Sequence, residues 1–100
     1  GWSVYCAAKA AVDRLTECIA LEEAEAGLRA WSVAPGVIDT DMQALIRATP
    51  AERFPERERF VQMKRDEAYN SPGFIADHLL ALAFGDDASE EVLVRLPAER

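Results

Sequence analysis

Two short apolar runs, Leu28–Ala34 (LRAWSVA) and Val92–Leu96 (VLVRL), constrain this 100-residue chain more than any other feature. Pro35-Gly36 closes the first and Pro97 the second. Short, mostly apolar and bounded by turn-forming residues, they read as strands buried on both faces, as in a parallel sheet. The residues between them carry helical signals, and two strands joined by a helical crossover form a right-handed parallel unit. Two strands are too few to stand alone, and their buried faces need partners. The predicted fold is therefore α/β: the C-terminal portion of a single doubly wound, parallel-sheet domain, a fragment lacking the N-terminal half.

The helical signals fall in a definite order. A long helix is predicted over 3–26, where Val4, Ala8, Ala11, Val12, Leu15, Cys18 and Ile19 recur at helical spacing and Gly27 supplies a left-handed stop. The first strand spans 28–34. A loop-and-helix segment is predicted over 39–67, opened by Thr40 and Gln43 in a capping-box pattern. Thr49-Pro50 starts a short helical turn, and the densely charged Glu56–Asp66 reads as a largely solvated helix or lid. A helix over 72–84 is capped by Ser71 and ended by Gly85-Asp86-Asp87; its Phe74, Ile75, Leu79, Leu80 and Leu82 predict a core-facing element. The second strand spans 92–96.

Charge and composition exclude several function classes. The net charge is −7, from 11 basic and 18 acidic residues, with no basic cluster, which argues against nucleic acid and against an anionic membrane surface. No apolar run approaches the ~20 residues of a membrane span. No His/Cys/Asp set has metal-site spacing, and no Ser–His pair suggests a hydrolase. Cys6 and Cys18 sit too far apart on one helix to bridge, and read as buried small apolar residues of a reducing compartment. His78, the single histidine, reads as a packed or edge residue of its helix.

Chemistry enters with Tyr5 and Lys9. Residues four apart on a helix are stacked neighbours, so a phenol and an ammonium project into the same space. A phenol with an ordinary pKa of about 10 exchanges protons poorly at neutral pH, and a nearby cation favours its ionised form. At ~4 Å and an effective dielectric of ~20 the attraction reaches ~4 kcal/mol at most, which makes the pair a candidate proton-transfer device.

The order Tyr5-Cys6-Ala7-Ala8-Lys9, helix, buried strand, then Ala34-Pro35-Gly36-Val37-Ile38-Asp39-Thr40, resembles the C-terminal half of the short-chain dehydrogenase/reductase family, with its YxxxK helix and PGxxxT strand end. The tract Pro35–Gln43 (PGVIDTDMQ) is most similar to the sepiapterin reductase and benzil reductase branch. The resemblance implies a Rossmann-like domain and a cytoplasmic NAD(P)-dependent carbonyl reductase or alcohol dehydrogenase. NADP(H) is the expected cofactor, with NAD(H) as the alternative. Tyr5 is implied as general acid/base. Lys9 would bind the nicotinamide ribose and keep the Tyr5 pKa low. Pro35 and Gly36 bring backbone close to the nicotinamide ring, while the Ile38 backbone and Thr40 hydroxyl hold its carboxamide. Met42 is the candidate wall of a pocket for a small-molecule carbonyl substrate, and Asp39 and Asp41 are expected in dipole and capping roles. The Ala-rich flank of the 3–26 helix is the expected homo-oligomer interface.

Family features absent from these residues are the Gly-rich pyrophosphate turn, the residue choosing NAD or NADP, and the Ser a dozen residues before the Tyr. The 100 residues alone are accordingly expected neither to bind cofactor well nor to turn over. Three other readings stand beside this one. The first is a reductase of another substrate, such as a 3-oxoacyl thioester. The second is a non-catalytic dimerisation module that keeps Tyr5 and Lys9 as relics. The third is a helical binding domain, which requires that neither apolar run be a strand.

Overall fold

The computed structural model describes residues 2–86 and 89–99. Helix α1 spans Ser3–Glu22, strand β1 Ser32–Ala34, α2 Asp41–Ala48, α3 Arg57–Arg65, α4 Pro72–Phe84 and strand β2 Leu93–Arg95. β1 and β2 pair in parallel, with Ser32 opposite Leu93, Val33 opposite Val94 and Ala34 opposite Arg95. The two strands exclude the all-helical alternative and give the α/β order that the apolar runs dictate.

Several boundaries differ from those expected. α1 ends at Glu22, and Ala24–Ala26 forms a 3₁₀ turn before Gly27 takes up a left-handed φ of 83°. Glu22, Glu23 and Glu25 crowd this end, where carboxylates oppose the helix dipole and no basic side chain offsets them. β1 is three residues long rather than seven, because its partner offers only Leu93–Arg95 for ladder bonding. Single bonds extend the pairing at each end, Ser32 N–H to the Val92 carbonyl (2.9 Å) and Leu96 N–H to the Ala34 carbonyl (2.9 Å).

Nor are the strands buried on both faces. β1 is half-buried throughout, β2 partly exposed, and no residue of α1 is buried. α4 buries only Ile75 and leaves Leu79, Leu80 and Phe84 exposed, so it is not core-facing here. Cys6 and Cys18 are exposed free thiols rather than buried ones. One cause covers all of these: two strands make too narrow a platform to cover an apolar helix face. Asp87 lies outside the described residues; Gly85 N–H bonds the Ala81 carbonyl at 2.8 Å as α4 ends.

Two local devices tie the elements to one another. α1 is pinned to β1 where the Ser32 hydroxyl donates to the Asp13 carboxylate at 2.5 Å. At the start of α4, Ser71 Oγ accepts from Phe74 N–H, with Pro72 in the first helical position as its preset φ favours. The Glu99 carboxylate accepts from Ser71 N–H (2.8 Å) and Oγ–H (2.6 Å), which folds the chain after β2 back onto α4. Those bonds hold the Glu99 carboxyl below its usual pKa.

Candidate active site

Tyr5 and Lys9 lie one turn apart on α1, and the Lys9 ammonium sits 5.6 Å from the centroid of the Tyr5 ring. This is cation–π distance. The expected neighbourhood of phenol and cation is thus present, with the charge placed over the ring. Tyr5 remains partly exposed, and its ring stacks against Trp2 at 6.1 Å and 13°.

Both side chains line an open cleft of about 750 Å³. Its other walls include Pro35, Gly36, Ile38 and Thr40 from the segment after β1, and Met42, Gln43 and Met63 from α2 and α3. Every residue predicted for the site therefore reaches one space, although Thr40 is 35 positions from Tyr5 in the chain (40 minus 5). Parallel sheets place ligand clefts at the C-terminal strand ends, where β1 gives way to Pro35-Gly36.

The backbone after β1 explains what is offered to that space. Gly36 has φ +85°, a conformation that favours glycine. Thr40 occupies the N-cap of α2 in extended geometry, yet its hydroxyl makes no capping bond. The Thr40–Gln43 capping box is not formed: the Thr40 carbonyl takes the Ala44 N–H (3.1 Å), and Gln43 is buried with Oε1 unpartnered among the described residues. Ile38 likewise makes no backbone hydrogen bond among the described residues. The Ile38 backbone, the Thr40 hydroxyl and the buried Gln43 Oε1 are thus without protein partners among the described residues.

The far wall is held by features the sequence did not announce. Phe54 and Phe60, both buried, pack edge-on against Trp2 and each other at centroid distances of 5.6 Å. Asp39, expected to serve the helix dipole, instead receives Lys64 Nζ at 2.6 Å and Arg47 at 3.3 Å. Lys64 first, then Arg47, holds the Asp39 carboxyl below its usual range. Arg47 also donates to the Tyr69 hydroxyl (3.0 Å) and so links α2 to the chain beyond α3. Asn70 is the other residue missed, and its bonds are described below.

Some residues stand apart from the cleft. Trp31 lines a separate open hollow of about 1020 Å³ between the second half of α1 and the strands, which carries none of the proton-transfer residues. Its indole N–H donates to the Ser89 carbonyl (3.0 Å), and Arg29 lies 4.9 Å from its ring. His78 is half-buried, its Nδ1 2.9 Å from the Phe74 carbonyl. Among the described residues, no His/Cys/Asp/Glu group could hold a metal, and no helix is long and apolar enough to cross a membrane.

Comparison with known proteins places this geometry in context. The family model described as short chain dehydrogenase matches residues 1–51. A benzil reductase ((S)-benzoin forming) of Bacillus cereus is 36% identical over 98 residues, covering 96% of this chain and 39% of the relative. A benzil reductase ((S)-benzoin forming) of Bacillus subtilis is 40% identical over 84 residues, 82% of this chain and 35% of the relative. A sepiapterin reductase of Mus musculus is 43% identical over 83 residues, 82% of this chain and 30% of the relative. The chain thus spans well under half the length of these relatives. No solved structure matches.

Proposed function

This chain belongs to the short chain dehydrogenase family, and we propose that it forms the C-terminal portion of an NAD(P)-dependent carbonyl reductase. The observation that carries the proposal is convergence: a phenol, an ammonium and polar groups of the segment after β1 that have no partner among the described residues line one cleft. Those donors and acceptors suit a nicotinamide nucleotide, with NADP(H) preferred. Lys9 supplies three N–H donors for ribose hydroxyls, and the Ile38 backbone and Thr40 hydroxyl can both donate and accept toward a carboxamide.

A bound nicotinamide supplies the hydride; the chain's own residues orient and move the proton. Tyr5 donates its hydroxyl proton to the substrate's carbonyl oxygen during reduction and accepts it back during alcohol oxidation. Lys9 keeps a positive charge beside the ring as that proton moves. Trp2, Met42, Phe60 and Met63 give the cleft an apolar wall that suits a flat carbonyl compound. The substrate class is a small ketone or its alcohol; a 3-oxoacyl thioester is the alternative.

Outside the cleft, Val4, Ala8, Ala11 and Leu15 share one exposed face of α1 by helix geometry. That face is the proposed surface for self-association, and it also supports the second reading, a non-catalytic dimerisation module. The compartment proposed is the cytoplasm.

The test is Tyr5→Phe in the full-length protein. Loss of a positioned general acid lowers carbonyl reduction by about 10²–10⁴-fold while NADPH affinity stays near that of the parent. Near-normal turnover removes Tyr5 from the mechanism and leaves the dimerisation module as the better reading.

A further inference from the structure

Asn70 lies in the loop between α3 and α4 and is buried, at 6% exposure. A buried amide needs partners for two donors and an acceptor, and this one has them from two distant segments. Its Nδ2 donates to the Pro35 carbonyl (2.7 Å) and to the Pro97 carbonyl (3.2 Å). Its Oδ1 accepts from the Glu99 N–H (2.8 Å), and its own backbone N–H donates to the Val37 carbonyl (2.7 Å). The ladder bond from Leu96 N–H to the Ala34 carbonyl is the last that β2 provides, so Asn70 continues the role of a neighbouring strand where the sheet stops.

The amide also fills the space behind Gly36. A Cβ added there would lie 2.5 Å from Asn70 Nδ2, so any side chain there has to displace the amide. The carbonyls of residues 35 and 37 are thereby turned to Asn70, while Ile38 and the Thr40 hydroxyl, just beyond, keep no protein partner among the described residues.

We propose that Asn70 is the positioning residue of the cofactor-facing turn: by holding the Pro35 and Val37 carbonyls it sets where Gly36, Ile38 and Thr40 meet the nicotinamide. The inference rests on the reductase reading. It assigns Asn70 no contact with the reacting atoms, so its effect falls on cofactor binding rather than on proton transfer.

The experiment uses the full-length protein, with NADPH binding followed by its fluorescence and turnover followed as NADPH oxidation with benzil as the probe carbonyl. Asn70→Asp keeps the shape but faces the Pro35 and Pro97 carbonyls with a carboxylate oxygen. It is expected to raise the Kd and KM for NADPH about tenfold or more, with kcat at saturating NADPH within about threefold of the parent. Glu99→Gln weakens the tail's hold on Ser71 without touching the Pro35 bond, and leaves both constants unchanged. Tyr5→Phe gives the opposite pattern, with kcat lost and NADPH Kd kept. If Asn70→Asp does not accumulate folded, Asn70→Ser, too short to reach the Pro35 carbonyl, carries the same expectation. An NADPH Kd within about twofold of the parent, or a fall in kcat at unchanged KM, overturns the assignment. So does failure of both variants to fold, which makes Asn70 a residue of the fold alone. A parent protein that neither binds nor oxidises NADPH fails the reductase reading itself, and the inference with it.

Discussion

Replacing Gly36 with alanine tests the geometry of the turn without reference to catalysis. Two costs can be worked from the structure. The left-handed φ of +85° penalises any residue with a Cβ by about 1–2 kcal/mol. The new methyl then displaces the Asn70 amide, whose two donor bonds at 2.7 and 3.2 Å are together worth about 2 kcal/mol. Gly36→Ala is therefore expected to destabilise the full-length protein by about 3–4 kcal/mol, measured by urea denaturation. A double-mutant cycle separates the two costs. With Asn70→Ala in place the methyl meets no amide, so Gly36→Ala costs only the backbone term, and the cycle shows a coupling of about 2 kcal/mol. Strict additivity, or a single-mutant loss below about 1 kcal/mol, refutes the close approach of Gly36 to Asn70 and the positioning argument built on it.

Two further outcomes are expected from the far wall of the cleft. Because Lys64 and Arg47 hold the folded pKa of Asp39 below the ordinary aspartate value, the pairing stabilises fully above the unfolded pKa and is lost as pH falls through the lower folded value. Protection factors of the α2 and α3 amides are expected to fall only below about pH 4, and Asp39→Asn to remove that dependence. Glu99 is likewise held below its ordinary value, so the comparison with Asp39→Asn isolates the Asp39 share; an unchanged pH profile in that variant denies the pairing its anchoring role. Phe60→Ala, at a position 5% exposed, is expected to cost about 3–4 kcal/mol and to move tryptophan emission to the red as Trp2 loses its edge-on partner. Unchanged emission places Trp2 outside that cluster.

What could be read from the sequence was local, and what could not was set at a distance. The Tyr5–Lys9 spacing, the Gly27 stop and the Ser71 cap are each determined within one or two helical turns, and the structure places them accordingly. The length of β1 depended on a partner 61 residues away (93 minus 32), so Leu28–Trp31 looked like strand and is not one. Thr40 and Gln43 matched a capping pattern, yet burial of Gln43 took its side chain away from the cap. Asp39 similarly found Lys64 25 positions on, where the sequence offered only the nearby helix terminus. Asn70 was invisible for the strongest reason: its side-chain partners lie 27 to 35 residues away, and an Asn before Ser-Pro looks like any loop. The α4 sequence is apolar and predicts a covered face, yet Leu79, Leu80 and Phe84 are exposed, since periodicity reports what a helix can bury and not what lies opposite it.

The 2.5 Å bond from Ser32 to Asp13 makes the cleft resemble a calliper. One jaw, made of the Tyr5 helix and the strand leading to Pro35, is clamped at its root by that bond. The opposite jaw, α2 and α3, hangs on partly exposed charges and a few aromatic edges. On the proposed reductase reading, a substrate of different breadth is met by the loosely held jaw, while the clamped jaw keeps proton donor and turn in one register.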